Sequence, residues 1–144
     1  MRQKLRDTLS ATVSTLLEPD ERSEATGRAR PGHVSVKANL ALATASAILS
    51  GGSSAMYATK KDIYVVLTDR RLIILEAHWL TFRPTAKVLG ALPRPLLVSD
   101  VKRGFMTSFV VSATGDPNGL QLSFPRTERP DAEAMLTALG APAA

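Results

Sequence analysis

Two short charged runs are the places where this sequence could do chemistry. Asp69-Arg70-Arg71 follows Thr68 between two apolar runs, and Lys102-Arg103 precedes Gly104. The arginine guanidinium is a planar fork of donors that fits a phosphate or a carboxylate, so Arg70 and Arg71 are candidates for anion or partner contact. Neighbouring residues entering a strand point to opposite faces, which leaves a structural reading beside the functional one. In that reading Asp69 accepts turn hydrogen bonds, and an arginine pairs with it or with a carboxylate on another strand. Lys102 and Arg103 make a second basic turn. With Lys60, Lys61, Arg83, Lys87 and Arg94 they can build one anion-binding patch if the fold gathers them; otherwise they are a solvated, partly paired surface.

Trp79 and Phe82 fall in an expected loop beside His78 and Arg83. Loop aromatics either fold back onto the core or stand out as interface anchors that fill a partner's pocket. His33 and His78 are the only histidines and there is no cysteine, so no ligand spacing for a metal is visible and no metal or other cofactor is expected. The serines occur without a GxSxG elbow, and Gly51-Gly52-Ser53-Ser54 lacks the lysine of a phosphate loop. The carboxylates are scattered and nominate no acid–base pair. The chain is therefore expected not to be an enzyme, the alternative being a small enzyme whose site is assembled only in three dimensions.

The 144 residues suffice for one domain with a core, and 44% hydrophobic with 22% charged residues lies in the globular range. Without cysteine the chain has no disulfide, which fits a reducing, cytoplasmic compartment. The first ten residues are basic but are not followed by the apolar stretch of a secretory signal. Ala38–Gly51 is the least polar segment and is too short to span a bilayer as a helix. The net charge of +5 is spread along the chain. It permits an anionic partner, but there is no dense basic stripe with aromatics of the kind that binds nucleic acid.

These residues must be held by regular elements. Leu5, Leu9, Val13 and Leu16 recur at helical spacing, predicting an amphipathic helix over residues 3–17 that docks on its own domain or on a second copy. Residues 18–34 are polar, carry two Gly and two Pro, and read as a linker or exposed loop. Residues 35–50 fit helix or strand, with alanine favouring helix. Residues 63–67 and 72–75 are β-branched runs forming a hairpin that is apolar on both faces, so a helix or a dimer partner must cover the second face. Short strands are expected at 87–91 and 96–101, with a bend at Pro93–Pro95. Alternation over 108–113 and 120–124 around Asp116-Pro117-Asn118-Gly119 predicts a second hairpin. A closing helix over 130–139 starts at Pro130, buries Ala132, Met135, Leu136 and Leu139, and stops at Gly140.

The stretch YVVLTDRRLIIL (64–75) resembles the opening hairpin of bacterial pleckstrin-homology-like domains. LLVSDVKRG (96–104) looks like the segment that leads into their next hairpin, and GLQLSFP with the helix DAEAMLTAL is similar to their last strand and closing helix. The resemblance covers residues 60–140. It implies a mainly β fold with helices (α+β): a bent antiparallel sheet or partly open barrel capped by a C-terminal helix, here with an extra N-terminal helix. It divides the chain into a helix and polar linker over 1–34 and a PH-like domain over 35–144. Members of that family are mostly binding or assembly modules, and some relatives bind phosphoinositides through basic residues near a strand loop.

The expectation is thus a non-catalytic binding or scaffolding module acting in protein–protein interaction or self-assembly. The alternative is a peripheral module for anionic lipid or phosphate, which would place it at the membrane surface.

Overall fold

The computed structural model describes residues 1–35, 62–78, 80–113 and 118–140. They form a mixed α+β fold in which one antiparallel sheet is flanked by an N-terminal and a C-terminal helix. Helix α1 is Gln3–Ser14. The strands are β1 (Ser23–Ser35), β2 (Ile63–Thr68), β3 (Arg71–Ala77), β4 (Pro84–Pro93), β5 (Leu96–Arg103), β6 (Thr107–Ala113) and β7 (Asn118–Phe124). A 3-10 turn at Arg126–Glu128 leads into α2, Arg129–Ala138. The strand order is β4-β3-β2-β1-β7-β6-β5.

Strand β1 joins the two halves of the sheet. Its first part pairs with β2, from Ser23↔Thr68 to Ala29↔Ile63, and its second part pairs with β7, from Arg30↔Ser123 to Ser35↔Asn118. This corrects the reading of residues 18–34 as a linker: most of that segment is the central strand, which runs across the expected boundary between residues 34 and 35. The buried positions of β1 alternate as Ala25, Gly27 and Ala29, with Glu24, Thr26, Arg28 and Arg30 between them. The inward face is small because an aromatic fills the space above it. A Cβ placed on Gly27 would lie 2.7 Å from Cε2 of Phe124, whose ring stacks on Phe109 at 5.6 Å between centroids. Pro31 is tolerated because the ladder with β2 ends at Ala29, so from residue 30 onward one side of β1 has no ladder donor to supply among the described residues.

The two sheet faces carry separate cores. On one, Ile63, Val65, Leu67, Leu72 and Ile74 meet Phe109, Val111, Leu120, Leu122 and Phe124, and α2 adds Ala132, Met135 and Leu136. On the other, Tyr64, Val66, Ile73, Leu75 and Ala77 are covered by Leu9 and Val13 of α1, with Leu16 and Leu17 alongside. The hairpin that is apolar on both faces is therefore covered within the same chain. Burying Leu9 and Val13 contributes about 1.5–3 kcal/mol each, enough to hold a helix that would be marginal alone. The expected hairpins and closing helix are present, with ends shifted by at most two residues. Ala38–Gly51, Gly51–Ser54, Lys60, Lys61, Trp79 and the turn residues Asp116 and Pro117 lie outside the described residues. No described helix is long and apolar enough to cross a membrane.

Candidate binding surfaces

The β2–β3 turn is built by Thr68. Its hydroxyl accepts from the amides of Arg70 (3.1 Å) and Arg71 (3.0 Å) and donates to Glu21 Oε2 at 2.6 Å. Asp69 serves the same turn. Its carboxylate accepts from the Arg22 amide at 2.9 Å, and its own amide donates to the Arg22 carbonyl at 3.0 Å. Arg71 places Nε 3.0 Å from Glu21 Oε2 and Nη2 3.1 Å from Oε1, while Nη2 also donates to the Leu16 carbonyl at 3.0 Å. Arg70 pairs with Glu18 at 2.9 Å on the surface. Arg94, at the bend between β4 and β5, bridges three elements: Glu24 on β1 (2.7 Å), the Thr68 carbonyl (2.9 Å) and the Ala138 carbonyl closing α2 (3.3 Å). This places a cation at a helix C-terminus, where the dipole favours it.

The charge state follows from this geometry. The hydrogen bonds from Arg71 hold Glu21 down to about 2 from the ordinary 4.5, against the upward push of burial, with Thr68 and the Glu18 amide helping. Arg71 is raised in turn, chiefly by the hydrogen bonds to Glu21. A strongly shifted carboxylate often marks a reactive site. Here its oxygens are saturated by a guanidinium, a hydroxyl and an amide, and its side chain has no exposed surface. The arrangement locks the segment after α1 onto the sheet.

Lys102 and Arg103 stand elsewhere. Arg103 Nε lies 2.8 Å from Glu133 on α2, while Lys102 is exposed and forms no ion pair with a described residue. The Arg94 amide donates to the Arg70 carbonyl, so the first basic turn sits at the start of β5. Lys102 lies at its far end, roughly 20 Å away at ~3.3 Å per residue. The four candidate cations thus form two separate pairs, and Arg70, Arg71 and Arg103 each have a carboxylate partner. Lys87 pairs with Glu76 and Arg94 with Glu24, so neither adds a free charge to one patch.

Phe82 is held in place and exposed. Its φ is +58°, its carbonyl accepts from the Tyr64 hydroxyl at 2.6 Å, its amide donates to the His78 carbonyl at 2.9 Å, and its ring lies 5.9 Å from the Arg28 guanidinium carbon. The His78 ring nitrogen Nδ1 accepts from the amides of Leu80 and Thr81, both at 3.2 Å, which gives this histidine a turn-forming role. Phe82 keeps 49% of its surface exposed and Leu80 keeps 62%. Beside them is an open hollow of about 310 Å³ lined by Arg2, Leu5, Arg28, Thr81, Phe82 and Glu128. A second hollow of about 270 Å³ runs between α1 and α2, where Arg6 pairs with Asp131 at 3.1 Å. Among the described residues no group of three or more metal-ligating side chains converges.

The sequence reading overlooked the turn after Lys102-Arg103. Phe105 and Met106 sit there exposed, and the available signal was an apolar pair at a hairpin turn, where polar residues are usual. It also overlooked Arg94 as the bridge between β1, the β2–β3 turn and α2.

Comparison with known proteins finds no family model, no curated protein and no solved structure that matches the chain.

Proposed function

We propose that the chain is a non-catalytic binding module of PH-like architecture that acts by docking a protein partner on its β3–β4 loop. The strand order supports the architecture: four strands in sequence run into three through the shared β1, and α2 is packed on the common core. The resemblance of residues 60–140 implies the same arrangement of bent sheet and closing helix.

The observation that carries the function is Phe82. A bulky residue in the left-handed region costs about 1–2 kcal/mol, and here the Tyr64 hydroxyl and the His78 carbonyl hold it there while about half of the residue's surface stays exposed. A rigid, half-exposed aromatic next to exposed Leu80 has the character of an interface anchor, because little conformational freedom is lost when a partner covers it. The role of Glu21 supports a non-catalytic reading, since the most perturbed carboxylate lines neither hollow. The two features that suggested self-association, the N-terminal helix and the two-sided hairpin, satisfy each other inside one chain. The reading therefore favours a different protein over a second copy.

The test is affinity capture from cells that make the protein, with full-length chain, Leu80→Ser and Phe82→Gly as baits. A partner retained by the parent and lost by both variants, with melting temperatures unchanged, is the expected result. Identical captured sets for all three baits would reject the loop as the docking site.

A further inference from the structure

Exposed apolar side chains also collect at a second place, on the opposite half of the sheet. Strands β5 and β6 meet in the turn Gly104-Phe105-Met106, closed by a hydrogen bond from the Gly104 amide to the Met106 carbonyl at 3.2 Å. Phe105 is 82% exposed, the most open large apolar side chain among the described residues, and Met106 is 37% exposed.

Cations surround the base of this turn. Lys102 lies three residues before Phe105. Thr107 is paired with Phe124, so the chain leaving β7 passes beside the turn and brings Arg126 with it, exposed and without an ion pair to a described residue. Arg129, likewise exposed, stands one helical turn before Glu133, and residues four apart share a helix face. Glu133 is itself held by Arg103 at the foot of the hairpin. The carboxylates nearby are Glu133, paired with Arg103; Glu128, 2.8 Å from the Met1 amino group; and Asp100, exposed on the irregular part of β5. Among the described residues, three cations and one carboxylate of this group thus have no ion-pair partner.

A projecting turn with an open aromatic tip and a cationic base suits one kind of surface better than others. A protein partner would need a pocket shaped to the tip. A bilayer interface accepts an aromatic and a methionine of any outline, and an anionic leaflet attracts the cations behind them. We infer that the β5–β6 turn is a membrane-contact tip: Phe105 and Met106 enter the interfacial zone of an anionic leaflet, and Lys102, Arg126 and Arg129 sit on its headgroups. Two shallow side chains and three cations make the attachment weak and reversible. The tip is separate from the Leu80–Phe82 loop, so a protein partner can be held while the tip rests on a membrane.

The experiment is cosedimentation of the full-length chain with vesicles of phosphatidylcholine alone or mixed with phosphatidylserine. The parent is expected to bind only the mixed vesicles and to be released as salt rises. Phe105→Ser abolishes binding, Phe105→Trp restores it, and Lys102→Ala or Arg126→Ala weakens it about fivefold each, all with unchanged melting temperatures. Phe82→Gly leaves vesicle binding intact, so failure of the partner reading is read separately. Soluble glycerophosphoserine in excess does not displace the chain, because the site is a surface tip and not a headgroup pocket. Equal binding to both vesicle types, no binding to either, full binding by Phe105→Ser, or displacement by the soluble headgroup overturns the inference.

Discussion

Arg71 grips Glu21 with two nitrogens of its guanidinium, Nε on one carboxylate oxygen at 3.0 Å and Nη2 on the other at 3.1 Å. The partners lie 50 residues apart in sequence. The contact fastens the segment after α1 to the β2–β3 hairpin, whose outer face α1 covers. One polar clasp and one apolar interface thus hold the same helix.

Removing one side of the clasp leaves the other stranded. Arg71→Ala buries an unpaired carboxylate and is expected to cost about 3–5 kcal/mol. Glu21→Gln keeps a side chain that still accepts from Thr68 and is expected to cost about 1–2 kcal/mol. Urea titrations of both variants and of the double variant measure the coupling. A loss for Arg71→Ala no greater than for a surface arginine would show the clasp to be idle.

The same pair sets an acid limit. Glu21 titrates near 2 in the folded chain against 4.5 ordinarily. Its folded value is depressed, so its stabilisation is complete above 4.5, declines as pH falls, and is gone below 2. The shift corresponds to at most about 3 kcal/mol. Thermal melts between pH 5 and pH 2, values chosen to bracket these limits, should show a steeper loss of melting temperature in the parent than in Glu21→Gln. Parallel curves would count against this assignment.

The two cores should respond alike to truncation but differ in consequence. Leu136→Ala in α2 and Leu9→Ala in α1 each remove a fully buried leucine and are expected to cost about 2–5 kcal/mol. Deleting residues 1–17 goes further, because it uncovers Val66, Ile73 and Leu75 on the outer sheet face. The shortened chain is expected to self-associate in sedimentation velocity, while the full chain sediments as one smaller species. A monomeric deletion variant would mean that the face tolerates water.

Gly27 tests the close approach beneath Phe124. Alanine there places a methyl carbon 2.7 Å from a ring that is buried and stacked on Phe109. The ring has little room to yield, so Gly27→Ala should destabilise by about 1–3 kcal/mol. Gly104→Ala, where an added Cβ meets nothing within 4 Å, serves as the control and should stay within about 0.5 kcal/mol. Equal melts for the two would rule out the crowding.

Much of the fold was legible because hydrophobic periodicity is a local property. The β2–β3 hairpin, the β6–β7 alternation, the stripe of α1 and the closing helix all carry large apolar side chains at a fixed repeat. Strand β1 was not legible by that signal. Its period-two face is Ala25, Gly27 and Ala29, too small to register as apolar, and Pro31 and Gly32 look like loop residues. The alternation of small with charged residues was present, but only the bulk of Phe124 from the far end of the chain explains it.

The sequence by itself determined the core-facing sides of α1, the β2–β3 and β6–β7 hairpins and α2, and that both faces of the β2–β3 hairpin need cover, since side-chain type and repeat fix these before any distant contact forms. Only the tertiary structure decided what provides that cover, which arginines are neutralised by Glu18, Glu21 and Glu133, and that Phe82 and Phe105 remain open to solvent. Those outcomes depend on residues tens of positions apart meeting at a few ångströms, and no local pattern of the chain encodes such a distance.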